Sequence, residues 1–146
     1  MWYAGAADRR NRMQRSFKRE LGSLAPLFEF TNEAAVRYRL DDEVVYAMNL
    51  AVEEIFTNMV KYGGGGPEVS VGLEVRGDRL VIDLAHPGAR PFDVAVEGQF
   101  DPASPLAARV PGGIGLYLVR RIMDEVVYEH RNGVAHVTLT KRLGGS

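Results

Sequence analysis

The sequence predicts an α+β fold, a two-layer sandwich in which a mixed, mostly antiparallel sheet carries helices on one face. Three observations predict it. The strand-like stretches come mainly in two pairs joined by short turns, which makes neighbouring strands antiparallel. The helical stretches are amphipathic, so each has one face to bury against a sheet. The chain has 146 residues, of which 46% are apolar, and this is enough for one domain with its own core.

The N-terminal part of the chain predicts an arm, a strand and a helix. Residues 1–12 have no hydrophobic periodicity and are predicted to be a flexible arm, and residues 13–146 to form the single domain. A short strand is predicted near residues 13–21. A helix is predicted over residues 24–39, where apolar side chains recur at helical spacing.

The second helix has the clearest periodicity in the chain. It is predicted to start at a cap formed by Asp41 or Asp42 and to run to about Tyr62, where a run of glycines and Pro67 ends it. Glu53 is predicted to be solvated. At about 100° per residue, six apolar side chains share a stripe roughly 120° wide and are predicted to face the core: Val44, Met48, Val52, Ile55, Phe56 and Met59.

A hairpin is predicted next. Residues 68–75 and 79–85 alternate between apolar and polar side chains and are joined by a turn that contains Gly77. Because side chains alternate along a strand, one face of the second strand is predicted to be buried. That face carries Leu80, Ile82, Leu84 and His86.

The remaining chain predicts a long loop, a helix and a second hairpin. Proline and glycine interrupt residues 87–112, and residues 93–111 within this stretch are predicted to form a lid over a ligand. A helix is predicted over residues 113–126. The second hairpin is predicted to join residues 127–130 to residues 134–142 through an Asn-Gly turn.

Composition excludes several classes of function. Lys and Arg number 18 against 19 for Asp and Glu, and no basic run is long enough to follow a phosphate backbone, so nucleic acid is not predicted as a partner. The absence of cysteine excludes disulfides, thiolate metal sites and a cysteine nucleophile. No apolar run approaches the roughly 20 residues of a membrane span, so a cytoplasmic protein without a membrane partner is predicted.

Glu54 and Asn58 form the first candidate site. Their i, i+4 spacing places a carboxylate and a carboxamide on one face of the second helix. Asn58 falls at the border of the apolar stripe, where a buried amide needs a partner. The pair on its own is more often an amide that caps a loop beside a solvated carboxylate.

Glycines at the entry to the third helix form the second candidate site. Gly112, Gly113 and Gly115 stand where the free N–H groups and the positive end of a helix suit a phosphate. The pattern is neither a Walker loop, because no Gly-Lys-Ser/Thr follows, nor a Rossmann turn, because a loop precedes it instead of a strand. A structural hinge is the alternative.

His86 forms the third candidate site. It ends a strand and is followed by the turn Pro87-Gly88, and it is predicted to point toward the same face as Leu84. A single histidine in such a place is more often a structural residue than a catalytic one.

In their order along the chain, these motifs resemble the Bergerat-fold (GHKL-type) ATPases over about residues 50–142. Among these ATPases, the short chain most resembles the anti-sigma-factor serine/threonine kinases. The similarity is carried by Glu54-x-x-Thr57-Asn58, by Pro91-Phe92-Asp93, by the run Gly112-Gly113-Ile114-Gly115-Leu116-x-Leu118-Val119-Arg120-Arg121-Ile122-x-Asp124, and by the closing strand Thr138–Arg142.

The resemblance implies a histidine-kinase-like ATPase domain that uses ATP and Mg²⁺. It implies that Asn58 holds Mg²⁺ together with the phosphates and that Glu54 is the catalytic base toward the attacking hydroxyl. It also implies a nucleotide-binding set made of Asn58, His86, Gly88, Phe92, Gly112, Gly113, Ile114, Gly115 and Leu116.

One position departs from the family pattern. Relatives of this kind carry Asp where this chain has His86, and that carboxylate accepts a hydrogen bond from the adenine amino group. Asp83 is predicted to point to the opposite face of its strand. A neutral imidazole keeps one acceptor nitrogen, whereas an imidazolium has none. His86 therefore predicts weak adenine recognition that declines below about pH 6.5.

Three functions follow from the resemblance. The first is a homodimeric kinase that phosphorylates an anti-sigma-factor antagonist and binds a sigma factor, as Glu54, Asn58 and the glycines favour. The second is a degenerate nucleotide-sensing or nucleotide-free binding module, which His86 favours. The third is the ATPase part of a larger signalling assembly, and the lack of transducer and dimerisation-helix segments argues against it.

Overall fold

The structure, a computed structural model, describes residues 11–62, 64–89 and 113–144. These residues form five strands, three α-helices and one 3-10 turn at Leu21–Ser23. The strands are β1 (Met13–Lys18), β2 (Glu68–Arg76), β3 (Arg79–Pro87), β4 (Glu125–Arg131) and β5 (Val134–Arg142). The helices are α1 (Leu24–Arg37), α2 (Asp42–Tyr62) and α3 (Gly113–Ile122).

The five strands form one sheet in the order β1-β2-β3-β5-β4. Every strand pairing among the described residues is antiparallel. The parallel pairing that a mixed sheet would include does not occur in this part of the chain. Asn132 and Gly133 join β4 to β5 with φ values of 53° and 76°. Two positive φ values are what a two-residue hairpin turn requires, and the predicted Asn-Gly hairpin is confirmed.

One face of the sheet is buried under the helices. The predicted inward side chains of β3 are all buried, and so are the six members of the α2 stripe. The apolar members of both sets belong to one hydrophobic core. Asp83 lies on the other face, where its Oδ2 pairs with Nη1 of Arg12 at 3.0 Å. The predicted two-layer α+β architecture is confirmed.

Asp41 caps α2. Its Oδ1 accepts a hydrogen bond from the backbone N–H of Val44 at 3.0 Å, which satisfies one of the N–H groups that a helix start leaves without a partner. Of the two predicted caps, the structure selects Asp41. Glu53 is exposed, as predicted.

Four of the predicted boundaries are wrong, in each case because a hydrogen bond or a change of backbone conformation intervenes. β1 ends at Lys18, whose carbonyl accepts a hydrogen bond from the Ser23 hydroxyl at 2.7 Å. α1 ends at Arg37, and Arg39 has a φ of 53°. α3 ends four residues early and β4 starts two residues early, because the Asp124 N–H donates to the Thr140 carbonyl of β5 at 2.9 Å.

Some predictions lie outside the described residues. These include most of the arm at residues 1–12 and the lid at residues 93–111, together with Phe92 and Gly112. The division into an arm and a domain stays a prediction. Among the described helices, none combines the length and the apolar character that crossing a membrane requires.

A short segment after α2, residues 64–67, lies against the turn that ends β3. The Gly66 N–H donates to the Pro87 carbonyl at 3.0 Å. Gly65 has a φ of +74°, and a Cβ atom placed on it would lie 2.1 Å from the Gly88 carbonyl oxygen. Glycine at position 65 is therefore needed both for the backbone conformation and for the close approach.

Replacing Gly65 with alanine is expected to lower the free energy of unfolding by roughly 3 kcal/mol, since strain from a positive φ adds to a steric clash. Gly77→Ala is the matched control, because Gly77 also has a positive φ, +59°, but open space around it. That control is expected to lose about 1–2 kcal/mol. Denaturant unfolding of both variants measures the difference. Equal losses would show that the contact between residues 65 and 88 carries no strain.

Candidate functional site

Asn58 lies one turn before the end of α2 and is only 6% exposed. Its Nδ2 is buried and has no hydrogen-bond partner among the described residues. A buried donor left without a partner costs about 1–3 kcal/mol. Such a group is stabilised when an acceptor enters the site.

The Asn58 side chain lines a small cavity of about 20 Å³ between α2, α3 and the sheet. Leu116 of α3 lines the same cavity, so the structure brings these two predicted site residues together. The other lining residues are apolar or aromatic: Ile55, Met59, Val126, Tyr128 and Val137. The cavity therefore combines mostly apolar walls with the Asn58 amide, and its volume is that of about one water molecule.

Glu54 lies on α2, one turn before Asn58, and is half-buried. Since α2 is continuous through both residues, their side chains leave the same face of the helix, as the i, i+4 spacing predicts. The carboxylate of Glu54 is therefore partly accessible to solvent, while the amide of Asn58 lies deeper. This arrangement suits a base that must receive a proton from an incoming group.

The glycine motif coincides with the start of α3. The helix begins at Gly113 and includes Ile114, Gly115 and the half-buried Leu116. The first N–H groups of an α-helix have no partner within the helix, and that end carries a partial positive charge. Because Leu116 lines the cavity at Asn58, the start of α3, where free N–H groups suit an anion, lies close to the buried amide.

His86 is fully buried at the end of β3, and neither ring nitrogen has a hydrogen-bond partner among the described residues. Burial lowers the pKa of His86 below its ordinary value, and the nearby positive charge of Arg19 lowers it further. The backbone groups of Gly66 and Gly64 act in the opposite direction, although neither forms a hydrogen bond of normal geometry with the ring. The ring is therefore neutral at pH 7 and retains one acceptor nitrogen.

Gly88 lies two residues after His86, in the turn that contacts residues 64–67. It has a φ of +74°, and its N–H donates to the Gly133 carbonyl at 2.7 Å. His86 and Gly88 are thus held at the end of β3, next to the segment that follows α2. His86 does not line the cavity at Asn58.

Sequence reasoning missed Arg19, which follows β1. Its Nε donates to the Gly66 carbonyl at 2.9 Å and its Nη1 to the Val60 carbonyl at 2.9 Å. The sequence holds no local signal for this role, since both acceptors are backbone groups far along the chain. Tyr128 and Val137 were also missed as cavity residues, although their alternation within the second hairpin places them on the core side.

Comparison with families of known proteins gives one match that covers most of the chain. A family model described as the histidine kinase-like ATPase domain matches residues 17–141. These residues include all three α-helices and the whole of β2, β3 and β4. They also include β1 except its first four residues and β5 except its last residue.

Several curated proteins are similar to this chain. It is 35% identical over 114 residues to the serine-protein kinase RsbW of Bacillus velezensis, which covers 74% of this chain and 69% of that protein. It is 35% identical over 104 residues to the serine-protein kinase RsbW of Bacillus subtilis, covering 67% of this chain and 64% of that protein. It is 29% identical over 106 residues to the serine-protein kinase RsbW of Listeria monocytogenes, and this match covers 68% of this chain and 66% of that protein.

A solved structure shares the fold. The crystal structure of the RsbU and RsbW domains of a Mycobacterium tuberculosis protein superposes with a TM-score of 0.63 and covers 90% of this chain. The identity is 15%, and the match spans 32% of that longer chain. This neighbour supports the architecture described above and nothing finer.

Proposed function

Because the chain belongs to the histidine kinase-like ATPase domain family, we propose that it binds Mg·ATP and transfers the γ-phosphoryl group to a serine or threonine of a protein. The observation that carries this proposal is the buried amide of Asn58. Its Nδ2 lacks a partner among the described residues, and Asn58 lies one helical turn after Glu54 and lines a cavity together with Leu116 of α3. A nucleotide phosphate supplies the acceptor that this amide lacks.

The residues present fit a magnesium-bound phosphate group. An amide side chain has one acceptor oxygen and two donor hydrogens, so Asn58 can contact a cation with one end and a phosphate oxygen with the other. The described residues contain no group of three or more His, Asp or Glu side chains that could hold a metal alone. Mg²⁺ commonly takes one or two protein oxygens and completes its shell with phosphate and water. When bound, it would neutralise charge on the phosphates.

The chain's own groups have separate tasks in the transfer. Glu54 accepts the proton of the attacking hydroxyl, whose oxygen forms the new bond to phosphorus while the bond to the bridging oxygen of ADP breaks. The free N–H groups at the start of α3 donate to phosphate oxygens. Asn58 orients the phosphates, and positioning of this kind supplies most of the catalysis in phosphoryl transfer.

The choice of acceptor and partners follows the similarities. The curated relatives are called serine-protein kinases, which supports a protein serine as the acceptor. The motifs that resemble anti-sigma-factor kinases support a sigma factor and its antagonist as partners, with a homodimer as the working unit. We place the reaction in the cytoplasm on the same grounds.

A nucleotide-sensing module without transfer is the second candidate. It is favoured by His86, a fully buried imidazole at the position where similar proteins carry a carboxylate. Such a module would bind nucleotide and partner but would not phosphorylate the partner.

Two measurements on the wild-type chain test the proposal. Calorimetric titration with Mg·ATP and Mg·ADP reports binding, and incubation with labelled ATP and a candidate antagonist reports transfer. Binding with transfer supports the kinase. Binding without transfer to any candidate supports the sensing module, and a chain that binds neither nucleotide contradicts both.

ATP affinity is expected to decline with falling pH, starting below the ordinary histidine pKa of about 6.5. The reason is that burial and Arg19 lower the pKa of His86, so the ring stays neutral below that value and loses its acceptor only when it takes up a proton. Affinity measured from pH 5 to 8, a range of about three units around that pKa, tests this. His86→Gln keeps an amide acceptor that does not titrate and serves as the control.

Identical pH profiles for the wild-type chain and His86→Gln would remove His86 from base recognition. His86→Asp offers a second check, because a carboxylate is the stronger acceptor for an amino group. That variant is expected to tighten ATP binding at pH 7. Weaker or unchanged binding would place the adenine elsewhere.

A further inference from the structure

Arg19 holds both ends of the segment that joins α2 to β2. Its guanidinium donates to the Val60 carbonyl, in the last turn of α2, and to the Gly66 carbonyl, each at 2.9 Å. Its backbone N–H donates to the Pro67 carbonyl at 2.7 Å. Arg19, directly after the first strand, therefore forms three hydrogen bonds to residues that lie 41 to 48 positions further along the chain.

These acceptors adjoin the two polar residues of the candidate site. Val60 follows Asn58 by two residues within the same helix. Gly66 donates its own N–H to the carbonyl of Pro87, which follows His86 directly. The guanidinium therefore links the turn of α2 that carries Asn58 to the end of β3 that carries His86.

The strength of this link follows from its chemistry. The contacts are partly buried and one partner is charged, and such hydrogen bonds are stronger than those between neutral groups. The planar guanidinium fixes two acceptors at a set separation, which a lysine ammonium does not do. The Val60 carbonyl is also one of the last four of α2, which have no N–H partner within the helix.

We infer that Arg19 is a positioning residue of the nucleotide site, which acts on bound nucleotide through Asn58 and His86 and does not touch it. The ligand in this inference rests on the proposed function. The link itself rests on the three hydrogen bonds and can be tested without a ligand.

The charge of Arg19 supplies a readout that a purely structural role would not move. It is the second cause, after burial, of the lowered pKa of His86. Arg19→Met removes both the planar guanidinium that binds the two carbonyls and its positive charge, so the pKa of His86 is expected to rise toward its ordinary value. Arg19→Lys keeps a positive charge but loses the planar guanidinium, so the pKa of His86 is expected to stay low.

The experiment compares Arg19→Met and Arg19→Lys with Arg15→Met. Arg15 is a half-exposed arginine of β1 that forms an exposed ion pair with Glu33 at 3.1 Å and lies over the ring of the buried Phe30. Three quantities are measured on each folded variant: the Kd for Mg·ATP, the pKa of the His86 ring by NMR, and the exchange rate of the Gly66 amide. Both Arg19 variants are expected to bind Mg·ATP roughly tenfold more weakly and to exchange Gly66 faster, and Arg15→Met to match the wild type.

Wild-type affinity and Gly66 exchange in a folded Arg19→Met chain would overturn the inference. If that variant does not fold, Arg19→Lys decides by the same two quantities. A wild-type chain that binds no nucleotide would defeat the proposed function instead. The link would then stand if Gly66 exchange and the pKa of His86 change as stated, and fall if they do not.

Discussion

Replacing Glu54 with alanine is expected to slow phosphoryl transfer by about 10²–10⁴-fold, the usual contribution of a positioned base. The affinity for Mg·ATP is expected to change by no more than about threefold, because the carboxylate acts on the acceptor hydroxyl and not on the nucleotide. Single-turnover transfer of labelled phosphate to the antagonist gives the rate, and a separate titration gives the affinity.

Glu53→Ala is the matched control for Glu54. The two carboxylates are neighbours in α2, but Glu53 is exposed, and consecutive residues of a helix lie on different faces. Its loss is expected to leave transfer at the wild-type rate. A Glu54→Ala chain that transfers phosphate undiminished would leave the kinase without this base, and equal losses in both variants would point to a change in α2 as a whole.

Asn58→Ala is expected to abolish Mg²⁺-dependent nucleotide binding. The change removes the contact to the metal and a buried hydrogen bond to a charged phosphate, and such a bond alone is worth about 1.5–3 kcal/mol. The combined loss corresponds to more than about 100-fold in Kd. Titration with ATP in the presence of Mg²⁺ and of a chelator measures it. Unchanged Mg·ATP affinity would remove Asn58 from the site.

The stability of the same variant is expected to move in an unusual direction. Because Nδ2 of Asn58 has no partner among the described residues, an alanine there removes an uncompensated buried donor, and the nucleotide-free chain should be at least as stable as the wild type. Asn49→Ala on the same helix is the contrast. Asn49 accepts a hydrogen bond from the buried Thr31 hydroxyl at 2.7 Å, so its loss is expected to cost about 1 kcal/mol.

The fold was predictable where independent local signals agreed. In α2, a capping aspartate, an apolar stripe and a glycine run all mark one helix, and the structure confirms its ends and its buried face. At Asn132-Gly133, the residue types required by positive φ values stand between alternating strands. Local chemistry was sufficient at both places.

The end of α3 shows where local signals fail. Helical spacing continues from Leu116 to Met123 and on to Val126, yet β4 has already begun at Glu125. The competing interaction is the pairing of Asp124 with Thr140 of β5, which no window of sequence around α3 contains. Tertiary hydrogen bonding outweighs the helical preference there.

The candidate site divides in the same way. Asn58 and His86 could be predicted because a polar side chain on an apolar face is conspicuous in a periodic pattern, and both prove to be buried. Arg19 could not, since its acceptors are backbone carbonyls that carry no side-chain signature. The contact of residues 64–67 with the end of β3 could not be predicted either, because the glycines predict a turn but not the part of the chain that the turn contacts.

The pairing of β3 with β5 is the long-range contact that joins the two hairpins of the sheet. Each hairpin closes a short loop, but joining them brings Pro87 beside Val134, so the intervening stretch must close as one long loop. Contacts between distant parts of a chain form late and slowly compared with hairpins. His86 lies at that junction, opposite Ala135. The end of the domain that carries His86 is therefore completed by the same step that unites the two hairpins, and separating the hairpins would disrupt the candidate site and the core together.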